Sequence, residues 1–241
     1  MKNSMIQKST LWFGIFSFML VMQSCDPFGL QSSGDLITLD FNESDFHGLD
    51  LNVPADAEVR IGDDFKVEIT CEETAMPYVE TRVDNGILKV YFSRNVRDVD
   101  HMKVVVTAPS WDNLDISGSG EIRVLDALEG HLLKLELSGS GKIVVAEASF
   151  DQADLNVSGS GKIDLSGSAE AMKCRISGSG QVDCLEFPVH IAEVHVSGSG
   201  DAFVHVTDAL EADISGSGNI IYKGNPQLSV HVSGSGSVKK H

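Results

Sequence analysis

His195, Asp213 and His231 are side chains of the kind that bind transition metals, and they follow one another at intervals of 18 residues. If that interval is one turn of a repeating fold, the three stand in line on adjacent rungs, roughly 5 and 10 Å apart. Two imidazoles and a carboxylate so placed form a ligand set for zinc or a related metal. The same line also describes a solvated ladder in which Asp213 pairs with its histidine neighbours. That reading, with no metal and no cofactor, is the expected one. Lys142, Lys162 and Asp164 form a second grouping. Acidic and basic side chains gathered on one outer face are what a glycan-cleaving β-helix uses for proton transfer. A charged exterior produces such a grouping by chance, so a glycan-active lyase or hydrolase is the alternative to a non-catalytic protein. Neither G-x-x-x-x-G-K-[ST] nor G-x-G-x-x-G occurs, which leaves no phosphate-cradling loop. The aspartates that calcium-binding β-rolls require are present only sporadically, at Asp164 and Asp183.

Cys25 offers a different chemistry. It closes a segment in which Lys2 and Lys8 precede an apolar run from Leu11 to Met22, the plan of an export signal. The run is shorter than the roughly 20 residues that cross a bilayer as a helix. "MQSC" at 22–25 resembles the lipobox of bacterial lipoproteins, although Met22 and Gln23 depart from its usual leucine and small residue. The resemblance implies that residues 1–24 are a signal peptide, that Cys25 carries the lipid, and that residues 25–34 are a tether. Loss of residues 1–24 removes two lysines and no acid, so 16 basic and 35 acidic residues remain and the charge becomes −19. Such a surface repels nucleic acid. The other cysteines, Cys71, Cys174 and Cys184, are odd in number and lack C-x-x-C spacing, so a disulfide framework and a structural zinc site are not expected.

The elements that must position these residues are announced by Ser-Gly-Ser-Gly, which begins at Ser117, Ser138, Ser158, Ser177, Ser197, Ser215 and Ser233. Spacings of 21, 20, 19, 20, 18 and 18 residues give a period, and a period near 20 points to a solenoid. Aligned on the tetrapeptide, four columns are apolar: one and three residues before it, and two and four after it. Of these 28 positions 27 are apolar, and the exception, Lys240, stands where the stack must end. Polar residues fill the columns between, so each copy reads as a strand with one buried face. Carried through the tetrapeptide, the alternation points both glycines of each corner inward and both serines outward. Cys174 and Cys184 fall in apolar columns and read as core. The segments between corners, such as "AEASFDQA" and "LEFPVHIA", read as shorter sides and turns. The fold expected is all-β, a right-handed parallel β-helix over 111–241.

Residues 35–110 lack the tetrapeptide but keep strand patterns, and read as an irregular β region continuous with the solenoid. "DNG" between "YVETRV" and "ILKVYF" marks a hairpin. "CEETAMPYVE" has room for one helical turn. "GLDLNVPADAEVRIG" reads as a degenerate rung in which Pro54 to Ala57 replace the glycine corner. With the "TAP…LDISGSG" junction, these pieces resemble the Bacteroidetes family of exported proteins described as putative auto-transporter adhesins, head GIN domain. The resemblance spans about residues 35–240. It implies a β-solenoid on a lipid-anchored or secreted envelope protein, and it supplies no catalytic residues.

The function expected is therefore that of a non-catalytic lipoprotein of the cell envelope, anchored in the outer membrane and presenting a solenoid surface to a glycan or protein ligand. Phe203 and Ile221 are outward neighbours on adjacent rungs and the candidate contact patch, for a partner or for a second copy of the chain.

Overall fold

The computed structural model describes residues 29–241, and strands dominate them. The first part holds β1 (Leu30–Gln31), β2 (Leu36–Phe41), β3 (Gly48–Asn52), β4 (Asp56–Ile61), β5 (Lys66–Glu72), β6 (Val79–Asp84), β7 (Ile87–Phe92), β8 (Val96–Arg97) and β9 (Lys103–Ala108). One 3-10 turn, Met76–Tyr78, separates β5 from β6. The second part holds β10 (Asn113–Gly118), β11 (Glu121–Val124), β12 (Leu128–Gly139), β13 (Lys142–Gly159), β14 (Lys162–Gly178), β15 (Gln181–Gly198), β16 (Asp201–Gly216), β17 (Asn219–Lys223), β18 (Gln227–Gly234) and β19 (Ser237–Lys240). Rung stacks on rung in parallel, and the first serine of each corner is register-paired with the first serine of the next copy. The architecture is a parallel β-solenoid. Its interior is filled by the apolar columns, from Leu114, Ile116, Ile122 and Val124 in the first glycine rung to Ala212, Ile214 and Ile220 near the last, all buried.

The corners depart from strict alternation. The second glycine of each copy faces inward: a Cβ on Gly141 would lie 2.5 Å from the Gly120 carbonyl oxygen and 3.0 Å from Ile116 Cγ2. The first glycine instead turns along the stack axis. Gly178 has φ +120°, a conformation that side chains disfavour, and a Cβ there would lie 2.5 Å from the carbonyl oxygen of Gly159 on the neighbouring rung. Side-chain parity cannot reveal this, because it assumes extended backbone and the chain bends at this residue. The bend lets the amide of the second serine reach the neighbouring rung: Ser160 N donates to Gly139 O, Ser179 N to Gly159 O and Ser199 N to Gly178 O, each at 2.8 Å. Pairing is thus continuous around the corner.

Between the inner corners the segments are strands and not turns. β13, β14 and β15 run without a break from one corner to the next and change direction at register irregularities, at Val145/Ala148, Asp164/Ala169 and Cys184/Pro188. An irregularity of this kind adds a residue and bends the strand without ending the ladder, and it absorbs the drift in repeat length.

The stack continues below the first glycine copy. β3 and β4 pair in parallel with β10 and β11, so that Leu49 and Leu51 align with Leu114 and Ile116, and Ala57 and Val59 with Ile122 and Val124. β7 and β9 form the next parallel layer. Antiparallel pairing then takes over, of β2 with β5, β5 with β9 and β6 with β7. The β6–β7 hairpin turns through Asn85 and Gly86, at φ +51° and +77°, the two left-handed residues of a tight type I′ turn. Phe46 packs between Phe65 and Trp111, with ring centroids 5.0 and 5.6 Å away, and Trp111 Nε1 donates to Arg60 O at 2.8 Å. At the other end no described residue covers the outer face of β18. Leu228, Val230 and Val232 are 42%, 49% and 38% exposed, whereas Leu210, Ala212 and Ile214, their partners one rung earlier, are buried.

Candidate functional site

Stacking turns each outward column into a line of side chains one rung apart. The column two residues before the corner runs from Lys89 and Asp50 through Asp115, Glu136, Asn156, Arg175, His195, Asp213 and His231. The three metal-ligand candidates do stand in line. His195 uses both ring nitrogens on carboxylates, Nε2 at 2.7 Å from Glu193 and Nδ1 at 3.1 Å from Asp213. The His195 contact is the main reason that the Glu193 carboxyl is held below its ordinary range. Among the described residues no group of three His, Cys, Asp or Glu side chains is placed to hold a metal.

Toward the other end of this line three acids, Asp50, Asp115 and Glu136, are consecutive. Desolvation, followed by the charges of Asp50 and Glu136, pushes the Asp115 carboxyl up to about 6, with Lys89 opposing.

The face after the corner carries the second sequence grouping. Asp164 is clamped between Lys162 at 2.7 Å and Lys142 at 3.2 Å, so its charge is already matched by two ammonium groups. On later rungs of this face, Ser237 Oγ donates to Asn219 at 2.7 Å and Asn219 Nδ2 donates to Asp201 at 2.9 Å, a polar ladder that ties three rungs together. Phe203 and Ile221 lie side by side in register and both are half-buried. The more exposed apolar row is Leu228, Val230 and Val232 on the terminal rung. Sequence columns place Val230 and Val232 in the core because alternation shows which face a side chain takes and not whether a rung covers it; among the described residues none does.

Cys71, Cys174 and Cys184 are buried free thiols. Burial pushes Cys71 up to about 11 and Cys174 up to about 12, and holds Cys184 well above the ordinary thiol range, so none is poised as a thiolate. Cys25 lies outside the described residues.

Glycine-cornered rungs, a continuous apolar interior and polar ladders on the outer faces define a parallel β-solenoid that displays broad, regular surfaces. Residues 45–226 match the model of the family described as putative auto-transporter adhesin, head GIN domain, and the chain belongs to that family. Solved structures share the fold. A "putative adhesin" from Bacteroides fragilis superposes with a TM-score of 0.82 at 22% identity, over 88% of this chain and 100% of that one. A "putative adhesin" from Parabacteroides merdae gives 0.72 at 26% identity, over 88% and 99%. A "putative lipid binding protein" from Parabacteroides distasonis gives 0.74 at 25% identity, over 89% and 100%. No curated protein matches the sequence.

Proposed function

We propose that this chain is a non-catalytic, adhesin-like binding protein of the cell envelope, anchored through a lipid on Cys25, with its solenoid faces as the binding surface. The observation that carries this reading is the way the outward ladders are held. Their side chains repeat at one-rung spacing on register-locked strands, and their charges pair with neighbours along the same face. A surface of this kind is preorganised before a partner arrives, which favours broad contact with a glycan chain or a protein. Membership in an adhesin-type family supports the same reading. The clamp of Lys142 and Lys162 on Asp164 weighs against the glycan-cleaving alternative, since a carboxylate already paired with two ammonium groups is not free to engage a substrate.

Two measurements test the proposal. In cells, Cys25→Ala should move the protein from the membrane to the soluble fraction and abolish incorporation of labelled fatty acid. On glycan and envelope-protein arrays, the purified chain should bind without consuming its ligand, and Arg175→Gln with His195→Gln should weaken that binding. Turnover of any polysaccharide by the purified chain would replace this reading with the enzymatic one.

A further inference from the structure

The chain has six arginines in an acidic whole, with 18 basic against 35 acidic residues. Three of them are matched: Arg60 pairs with Glu58 at 2.8 Å, Arg175 lies 3.7 Å from Glu193, and Arg123 pairs with Glu121. The other three, Arg82, Arg94 and Arg97, are exposed and make no ion pair among the described residues. They belong to one region, on β6, β8 and the connection between β7 and β8. Arg82 lies over the Tyr91 ring at 5.6 Å and Arg94 over the Tyr78 ring at 5.1 Å, so tyrosines rather than carboxylates hold them. Arg82 and Arg94 line a shallow groove together with Tyr91, Phe92, Asn95 and the Lys89–Asp50 ion pair, whose charges offset each other. In a protein with a twofold excess of acids, cations left without acidic partners and propped on aromatic rings mark a surface suited to an anionic partner outside the chain.

The path of the N-terminus identifies that partner. β1 pairs in parallel with β8, Leu30 with Val96 and Gln31 with Arg97, and Leu30 N donates to Asn95 O at 3.0 Å. The first described residues therefore run alongside Arg94 and Arg97. Cys25 precedes Gly29 by four residues, which reach at most about 14 Å when fully extended. A lipid on Cys25 brings the arginine region to the membrane before any other part of the body.

We propose that Arg82, Arg94 and Arg97 form a docking surface for the anionic headgroups of the anchoring membrane, and that they fix the orientation of the solenoid upon it. The inference rests on the anchor proposed above. Three arginines at an anionic surface favour the docked arrangement on the order of a hundredfold. The acidic remainder of the body is repelled by the same surface, so docking selects one orientation. Tyr91 and Phe92, both half-buried beside the arginines, suit the polar–apolar boundary of a bilayer.

The test couples the chain from Cys25 onward, which retains every described residue, to maleimide-bearing lipid in vesicles through its Cys25 thiol. The other three cysteines are buried, which keeps the coupling selective. Amide hydrogen exchange over residues 93–98 is then compared on phosphatidylcholine vesicles with and without phosphatidylglycerol. The expected result is exchange slowed about fivefold or more on the anionic vesicles alone, and restored in high salt, where charges are screened within about 3 Å. The triple variant Arg82→Gln, Arg94→Gln, Arg97→Gln should lose the slowing at an unchanged thermal midpoint, and the corresponding triple lysine variant should keep it. Equal exchange on both vesicle types, or slowing retained by the glutamine variant, overturns the proposal. Arginine-dependent binding of polygalacturonate with no vesicle effect would overturn it too, by assigning the surface to a glycan. Because the coupling is chemical, these outcomes are independent of whether cells acylate Cys25.

Discussion

At its N-terminal end the stack of parallel rungs is capped by antiparallel strands, β2, β5 and β6, whereas at its C-terminal end the last parallel rung, β18 and β19, has no capping strand among the described residues. The closed end carries individual features. There, the buried Glu72 carboxylate accepts the Ser32 hydroxyl at 3.0 Å and the His101 amide at 3.0 Å, and so ties the N-terminal segment to the body. The three unmatched arginines belong to this end as well. The other end is a repeat unit whose outer face meets no further rung among the described residues. Burial in a solenoid is therefore a property of a rung's place in the stack as much as of its sequence, because only a following rung excludes water from its interior column.

The largest effect that separates the two situations is expected at one column of neighbouring rungs. Ala212 and Val230 are register partners, and both occupy the interior side. Ala212 is fully buried, so Ala212→Asp places a carboxylate among Leu210, Ile214 and Val194 and should cost on the order of 4 kcal/mol. Val230→Asp should cost less than about 1 kcal/mol, because its side chain already meets water. Denaturant unfolding of both variants measures the difference. Equal losses would show that the terminal rung is covered in solution, as it would be by a second copy of the chain.

The corners sharpen the comparison at a smaller scale. Gly178→Val meets both a positive φ and the Gly159 carbonyl of the neighbouring rung, and should cost about 3 kcal/mol. At Gly118, the first corner, φ is +132° but a Cβ would find nothing within 4 Å, since the rung beneath has no glycine corner. Gly118→Ala should therefore show conformational strain alone, about 1 kcal/mol. Ser179→Thr, at an outward position next to Gly178, should be nearly neutral. Thermal midpoints of the three variants order these effects, and a loss at Gly118 as large as that at Gly178 would remove the contribution assigned to axial stacking.

What the sequence makes legible follows from repetition. Seven copies of one tetrapeptide with apolar columns on both sides reveal the rungs, the interior and the line through His195, Asp213 and His231, because each position is seen several times over. "DNG" is equally plain, since a two-residue hairpin has few chemical solutions. The direction of the first corner glycine is hidden, because alternation counts residues and takes no account of φ. The bulged strands between corners look like turns, because a register shift scrambles alternation without ending the pairing. Arg82, Arg94 and Arg97 show no pattern at all. A hairpin and a short parallel pair bring them together, and neither imposes a spacing on charge.

The remaining effect depends on pH and concerns the acidic stretch of the ladder, where Asp115 stands between Asp50 and Glu136. Its carboxyl is raised to about 6 by desolvation first and by those two charges second, against an ordinary value of 3.8. A carboxyl raised on folding binds its proton more tightly in the native state, so the stability it contributes is fully present below about pH 4. That stability is lost as pH rises toward 6, and above that the ionised group is a net cost. Asp115 is partly solvated, so the cost is on the order of 1 to 2 kcal/mol rather than the full value of the shift. Asp115→Asn removes the charge and keeps the shape. The variant should be more stable than the natural chain at pH 7 by that amount, and its advantage should shrink as pH falls from 6 to 4. Glu58, Glu72 and Glu193, whose carboxyls are held below their ordinary range, give both proteins the opposite slope at lower pH, and this cancels in the difference. Paired unfolding curves across pH 4 to 8 isolate the Asp115 contribution. A difference that does not change with pH would mean that neither burial nor the two neighbouring acids raises the Asp115 carboxyl, and that the ladder is electrostatically a row of independent, solvated surface charges.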